Sequence, residues 1–155
     1  MKKTNAARIL DRLKIDYELI EYRVDEADLS AIHLAETAGI PISKVYKTLV
    51  LEGDKTGYFV CVIPGGKEID LKKAALVSSN KKVAMLKMKE LEPLTGYIRG
   101  GCSPLGMKKP FPVFIDESAN DYPLIYISAG IRGMQMRLSP TDLMIACNAK
   151  KRDLI

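Results

Sequence analysis

The chain has 155 residues, of which 47% are hydrophobic and 28% charged, a composition typical of one globular domain that we expect to span residues 1–155. No apolar stretch is long enough to cross a membrane, and the basic start of the chain lacks the apolar segment of a secretory signal. The net charge of +5 suits a nucleic-acid partner, but it is equally typical of a solvated basic surface.

The first part of the chain alternates helix and strand signals. Thr4 can cap a helix that runs to about Lys14, and residues 17–22 then favour a strand. Ser30 can cap a second helix, which Gly39 ends because glycine readily takes the left-handed conformation at a helix terminus. Helix and strand are therefore mixed from the start of the chain.

The middle of the chain predicts a hairpin followed by short elements. Strands over 47–52 and 58–63 flank a hairpin loop, and their nearly continuous apolar sequence indicates that both faces are covered. Asp70 can cap a helix that ends near Val77. A later helical turn is expected to end before Pro93, because proline restricts the residue that precedes it.

The last part of the chain predicts three more strands and one helix. The strands lie over 113–115, 124–127 and 134–138, and the alternation of the third indicates a half-exposed position. Ser139 with the proline after it opens a helix, and Lys150–Arg152 is expected in a basic tail. Because hairpins link several strands without a strict β-α-β order, we predict an α/β fold with a mixed, mostly antiparallel sheet.

The most distinctive feature is the stretch GGCSPLG from Gly100 to Gly106. Its three glycines and its proline exclude a regular helix or a central strand, so it predicts a shaped loop. Exposed amides in such a loop can bind a carbonyl or an anion, and Lys108 and Lys109 stand just beyond it. Loops of this kind on a rigid scaffold often carry function.

Two further segments offer candidate side chains. Lys47 opens an apolar strand, where its ammonium can project into a cleft and stabilise a developing negative charge, or can simply extend to water. The loop over 128–133 supplies a hydroxyl, two glycines and Arg132, whose guanidinium can bind a phosphate or remain an ordinary solvent-exposed group. The sequence pattern alone does not decide whether Lys47 and Arg132 bind a ligand or simply extend into solvent.

The cysteines and the single histidine exclude several kinds of site. Cys61, Cys102 and Cys147 are widely spaced without a CxxC motif, which argues against structural zinc and a disulfide framework and favours a cytoplasmic protein. Cys102 lies in the glycine loop, but a reactive thiol needs a base or a positive field. His33 is distant from that loop in sequence, so we expect neither a catalytic triad nor a metal site, and no cofactor motif is present.

Several segments together resemble the YbaK/EbsC-type Cys-tRNA(Pro) deacylases, the superfamily that includes the editing domain of bacterial prolyl-tRNA synthetases. They occur in family order over essentially the whole chain: VYKTL at 45–49, DLKK at 70–73, TGY at 95–97, the GGCSPLG loop, and SAG with RG over 128–133. The resemblance implies a barrel-like sheet flanked by short helices.

The resemblance also implies roles for individual residues. Lys47 falls on the essential lysine of the family and would orient the substrate and stabilise charge at the scissile ester. The Gly101 N–H would hold the substrate carbonyl or the terminal ribose, and the loop over 128–133 would form the opposing wall. The residues that would bind substrate are Tyr22, Thr48, Gly100, Gly101, Ser103, Pro104, Ser128, Gly130, Arg132 and Gly133. Gln135 replaces a residue that is acidic in some relatives, so a general-base role at that position is doubtful.

The activity that the resemblance implies is removal of cysteine from mischarged Cys-tRNA(Pro), and also from Cys-tRNA(Cys). In the mechanism proposed for the family, the substrate's own thiol attacks the ester and releases a cyclic thiolactone, which would explain the missing protein base. Prolyl-tRNA synthetase is an expected partner in a complex with the tRNA. Two alternatives are an Ala-tRNA(Pro) deacylase, against which the early position of His33 argues, and a non-catalytic module that binds tRNA or a synthetase.

Overall fold

The computed structural model describes residues 3–155; Met1 and Lys2, the start of the basic N-terminal run, lie outside the described residues. Within this range the chain forms five α-helices, eight β-strands and two short 3-10 turns. The helices are α1 (Asn5–Arg12), α2 (Ala31–Ala38), α3 (Leu71–Val77), α4 (Met88–Thr95) and α5 (Pro140–Cys147). The strands are β1 (Glu18–Glu21), β2 (Tyr46–Gly53), β3 (Gly57–Pro64), β4 (Val83–Met85), β5 (Val113–Asp116), β6 (Ile125–Ser128), β7 (Met134–Leu138) and β8 (Lys150–Arg152).

The strands form two sheets that share one hydrophobic core. One sheet has the order β1-β7-β6, and the other has the order β4-β2-β3-β5-β8. Four strand pairs are antiparallel, whereas the β3–β5 and β5–β8 pairs are parallel. A bridge between Val45 and Tyr126 joins β6 to the start of β2. The expected mixed, mostly antiparallel pairing is confirmed, with the strands divided between two sheets rather than one.

The helix ends follow the caps that the sequence predicts. The Thr4, Ser30 and Ser139 hydroxyls each accept a hydrogen bond from a backbone N–H of the first turn of α1, α2 and α5, and Asp70 accepts two at the start of α3. Gly39 ends α2 in the left-handed conformation, with φ of +71°. Local side-chain chemistry is therefore sufficient to locate these boundaries.

Three local predictions are wrong. Helix α4 does not end before Pro93 but continues to Thr95, because Pro93 and Lys89 are exposed and water can satisfy the carbonyl that loses its donor. Lys150–Arg152 is not a tail but strand β8, which pairs with β5. Strand β7 is not half-exposed: as the middle strand of its sheet, it is buried at every position except Arg137.

Candidate active site

A cavity of about 610 Å³ opens beside the first half of β2. It is lined by the start of α2, the first half of β2, the turn after β3, the β4–α4 segment and the glycine loop, and by Ser128 and Gln135 of the other sheet. Its volume lies within the range of small-molecule sites, which is about 300–1,000 Å³. The cavity can therefore hold a ligand of the size of an aminoacylated nucleoside.

The cavity exists because β4 is short. Strand β4 pairs with β2 only from Leu51 to Gly53, and the Val50 carbonyl accepts the Leu86 N–H directly after it, so residues 46–49 have no strand partner on that side. Tyr46, Lys47, Thr48, Leu49 and Val50 all line the cavity instead. An unpaired stretch of strand carries backbone N–H and C=O groups that a ligand can use. The topology thus places a lysine and open backbone in the same pocket.

Lys47 supplies a positive charge to this pocket. It is the second residue of β2, pairs with Ile63 of β3 and is half-buried. Within residues 3–155, no carboxylate oxygen lies within 4.0 Å of its ammonium, although Glu68 also lines the cavity. A lysine that is not neutralised by a protein carboxylate is available to a ligand's negative charge.

The structure brings four of the predicted site residues to the cavity: Lys47, Thr48, Gly100 and Ser128. Tyr22 lies in a small adjoining recess, which it shares with Gly100. Ser128 is 8% exposed, and its hydroxyl accepts a hydrogen bond of 3.1 Å from the Gly130 N–H. The contact of these residues with substrate remains a prediction.

The other predicted residues lie outside the cavity lining, namely Gly101, Ser103, Pro104, Gly130, Arg132 and Gly133. Gly101 and Pro104 are buried, and Ser103 is fully buried, with a hydroxyl that accepts the Leu105 N–H. The Gly101 N–H donates to the Ile98 carbonyl at 3.0 Å. The loop itself therefore already uses that donor, and binding of substrate by the Gly101 amide stays a prediction.

The two glycine-containing loops pack on each other rather than facing across a cleft. The Arg132 Nε donates to the Arg99 carbonyl at 2.8 Å, and a Cβ added at Gly101 would lie 3.1 Å from backbone atoms of Ile131 and Arg132. Tyr97 lies between the loops: its hydroxyl donates to the Leu105 carbonyl, and its ring faces Gly130. The loop over 128–133 therefore packs against the glycine loop, and its expected role as the opposing wall of the substrate site stays a prediction.

Cys102 lines the cavity, but burial raises the pKa of its thiol to about 12. The thiol is therefore protonated at neutral pH and is a poor nucleophile. This agrees with the interpretation of Cys102 as a packing residue. Burial also raises the pKa of the Tyr97 hydroxyl to about 12, so the hydrogen-bond donor that joins the loops remains protonated.

Sequence reasoning missed part of the surroundings of the site. His33, which is distant from the glycine loop in sequence, lines the same small recess as Tyr22 and Gly100, with its ring nitrogens 3.6 Å from Asp25 and 3.8 Å from Asp28. Met85, Leu86, Met88 and Leu91 form an apolar part of the cavity. Separation along the chain carries no information about such contacts, although two methionines so close in sequence are a signal of an adaptable apolar surface.

Residues 3–155 contain neither a candidate metal site nor a candidate membrane span. No group of three or more His, Cys, Asp or Glu side chains is placed to hold a metal ion. No helix in this part of the chain has the length and apolar character of a membrane span.

The fold and the cavity together define an α/β protein with a ligand-sized pocket between a strand-borne lysine and a glycine loop. The profile of the family described as the aminoacyl-tRNA editing domain matches residues 26–145. EbsC of Enterococcus faecalis, named as a proposed Cys-tRNA(Pro)/Cys-tRNA(Cys) deacylase, is 50% identical over 149 residues, which cover 96% of this chain and 91% of EbsC. The chain belongs to the aminoacyl-tRNA editing domain family.

Solved structures agree with this family and with the expected YbaK-type fold. A structure described as a proposed trans-editing enzyme for prolyl tRNA synthetase has a TM-score of 0.82 and 25% identity, covering 99% of this chain and 98% of that one. The protein APE2540 has a TM-score of 0.88 and 20% identity, covering 97% of this chain and 99% of that one. At that identity, the likeness to APE2540 concerns the fold alone.

Proposed function

We propose that this protein is a trans-acting deacylase that removes cysteine from mischarged Cys-tRNA(Pro), and also acts on Cys-tRNA(Cys). The observation that carries the proposal is the Lys47 ammonium, which lies in a cavity of suitable size beside the glycine loop and has no carboxylate partner within residues 3–155. The 50% identity with EbsC supports the choice of cysteine. A synthetase discriminates poorly between amino acids of similar size, so a second site must clear the error.

The residues of the cavity favour a reaction in which the substrate supplies the nucleophile. The Cys102 thiol is protonated at neutral pH, and His33 lies outside the cavity lining. In the proposed reaction, the substrate's sulfur bonds to its own ester carbon, the bond from that carbon to the ribose oxygen breaks, and the thiol proton ends on the released ribose hydroxyl. The products are free tRNA and a cysteine thiolactone. Lys47 would orient the ester and stabilise the negative charge that develops on its oxygen.

We further propose that the protein works in the cytoplasm, in a complex with tRNA and prolyl-tRNA synthetase. The three cysteines are free thiols, as a reducing compartment requires. The structural neighbour described as a proposed trans-editing enzyme for prolyl tRNA synthetase supports the choice of partner.

The test of the function is deacylation of Cys-tRNA(Pro), Cys-tRNA(Cys) and Ala-tRNA(Pro) in parallel by the wild-type protein and by Lys47→Ala. We expect turnover of the cysteinyl esters and a loss of about 100-fold or more in the variant, the usual effect of removing one charge-stabilising donor. Lys55→Ala is the matched control, because it removes the same charge from the exposed hairpin at the other end of β2 and should retain activity.

Three outcomes would contradict this assignment. Full activity of Lys47→Ala would remove the lysine from the mechanism. Faster cleavage of the alanyl ester than of the cysteinyl esters would identify the alanine-specific alternative. Stoichiometric tRNA binding without ester loss would identify a non-catalytic binding module.

A further inference from the structure

Three exposed apolar side chains border the cavity. Ile32 of α2, Met85 at the end of β4 and Met88 at the start of α4 line it, and their exposed fractions are 53%, 44% and 57%. A single exposed apolar residue is ordinary on a protein surface, whereas several around one cavity mark a surface that a ligand covers. We call these three residues the apolar rim.

The remaining lining shows which part of a substrate can reach this rim. Tyr46, Val50 and Ser128 line the same cavity and are buried, so the cavity is closed on their side and open at the rim. An ester held at Lys47 is attached to a long tRNA, and its nucleoside must therefore extend towards the open side. The adjoining recess holds only about 10 Å³, which is too small for a base.

Lys47 and Met85 lie on the same face of the five-stranded sheet. The side chains of Lys47, Leu49 and Leu51 share one face because side chains alternate along a strand. Met85 lies directly opposite Leu51 in the pairing of β4 with β2, and it therefore shares that face. Leu51 follows Lys47 by four residues, which is about 13 Å at the usual rise of a strand. An aminoacylated nucleoside is about this long, so one with its ester at Lys47 reaches Met85 with its base.

The charges beside the rim match those of a nucleotide strand. Lys87 and Lys89 are exposed and flank Met88 in the sequence. Arg99 is exposed and lines the cavity, and within residues 3–155 no carboxylate oxygen lies within 4.0 Å of its guanidinium. Glu68 is the acidic residue of the lining. Side chains that pack against bases, next to cations that bind the phosphates, are the usual surface for single-stranded nucleic acid.

We propose that Met85 and Met88 bind the base of the terminal adenosine, which all tRNAs carry, so that both are specificity-determining residues for cysteinyl esters of a nucleoside; this inference rests on the proposed function. The methionine thioether is flexible and polarizable, and it packs favourably against an aromatic ring. Contact with the face of a base tolerates any sequence, because every base has such a face. The rim would thus anchor the 3′ end of any tRNA, which fits the proposed action on both Cys-tRNA(Pro) and Cys-tRNA(Cys).

The test compares two small substrates that differ only in the base: 3′-O-cysteinyl adenosine and the cysteinyl ester of the same ribose without a base. The variant combines Met85→Gln with Met88→Gln, which keeps the length of both side chains but makes them polar. We expect it to lower kcat/KM about 10-fold for cysteinyl adenosine and for Cys-tRNA(Pro), the effect of losing two thioether contacts with a ring. For the ester without a base we expect a change of less than about twofold.

Two controls separate the rim from general effects. Met85→Leu with Met88→Leu keeps the apolar contact and should keep activity on cysteinyl adenosine within about threefold. Leu76→Gln with Ile145→Gln makes the same change in polarity at two exposed residues outside the cavity lining, and it should leave the activity on all three substrates unchanged. Because all four side chains are exposed, the Tm of each variant should stay close to that of the wild type.

Equal losses on the two small esters, or a lower Tm together with the loss of activity, would give the methionines a structural role and overturn the inference. Full activity of the Gln variant on Cys-tRNA(Pro) would also overturn it, whether or not the small esters are cleaved. A loss that appears only when prolyl-tRNA synthetase is present would assign the rim to a protein partner instead. If the wild-type protein cleaves none of the three substrates, the proposed function fails and the inference fails with it. In the other contrary outcomes, only the inference fails.

Discussion

Cys102 shows how the surroundings of a residue decide its chemistry. It lies in the most distinctive loop of the sequence and lines the cavity, a position that would suit a nucleophile. Burial, however, raises the pKa of its thiol to about 12, and the single histidine, His33, lies outside the cavity lining. Lys47 is also half-buried in the cavity lining, but it carries an ammonium that is not paired with a protein carboxylate within residues 3–155. In the proposed function, the chemistry of the site would therefore depend on a cation and on backbone geometry.

At the residue scale, Cys102→Ala should keep deacylation of Cys-tRNA(Pro) within about threefold of wild type, because the protonated thiol is not the nucleophile. Its cost to the free energy of unfolding should be about 1 kcal/mol, the effect of removing one small half-buried group. Steady-state kinetics and urea denaturation measure the two effects. A loss of activity comparable to that of Lys47→Ala would show that the protein's own thiol reacts.

The glycine loop depends on a second element for its shape. Gly101 is buried against the backbone of Ile131 and Arg132. The Arg132 Nε donates a hydrogen bond to the Arg99 carbonyl. Tyr97 packs between Gly106 and Gly130, both of which have positive φ. The two loops thus act as one unit, in which only Gly100, Cys102 and Ser128 reach the cavity directly. Gly101, Gly106 and Gly130 matter because, without a Cβ, they let the two loops and the Tyr97 ring pack closely together.

At the element scale, Gly101→Ala should separate the two loops, because its Cβ would lie 3.1 Å from backbone atoms that cannot move aside easily. We expect a loss of about 1–3 kcal/mol in the free energy of unfolding and a clear loss of activity. Gly57→Ala is the control: it introduces strain at φ of +78° in the hairpin, where the added Cβ meets nothing within 4 Å. It should lower stability by about 1 kcal/mol and leave activity unchanged. Unchanged activity of Gly101→Ala would show that the loop does not need this packing.

Exposed lysines lie near both edges of the five-stranded sheet, and those that follow β4 stand beside the cavity lining. Strands β4 and β8 are the opposite edges of the five-stranded sheet. Near β4, the exposed residues Lys87 and Lys89 stand beside side chains that line the cavity, whereas Lys150 and Lys151 belong to β8. A tRNA whose 3′ end enters the cavity should therefore place its phosphates along the β4–α4 side.

At the scale of the whole molecule, replacing Lys87 and Lys89 by Gln should raise the KM for aminoacyl-tRNA. It should also reduce the slope of log KM against log salt by about 1.4, since each phosphate contact to a single strand contributes about 0.7. The matched control replaces Lys150 and Lys151 by Gln and should change neither quantity. The reverse result would place the tRNA across the β8 edge. Initial rates between about 50 and 200 mM salt measure both quantities.

The sequence by itself determined the local features of this protein. Thr4, Ser30, Asp70 and Ser139 mark helix starts because a cap needs only the hydrogen bonds of one turn. The hairpin of β2 and β3 follows from its two apolar runs and its glycines. The family motifs also indicated the lysine and the glycine loop, because motif order can be read along the chain.

Only the tertiary structure decided which of these residues meet. Three of these contacts join distant parts of the chain. Lys150–Arg152 pairs with β5, His33 shares a recess with Gly100, and the loop over 128–133 packs against the glycine loop. Likewise, only the positions of its neighbours within residues 3–155 show that the buried Gln135 Oε1 has no hydrogen-bond partner there. Such contacts depend on how sheets and loops pack, and local propensity does not encode packing between residues that are far apart in sequence.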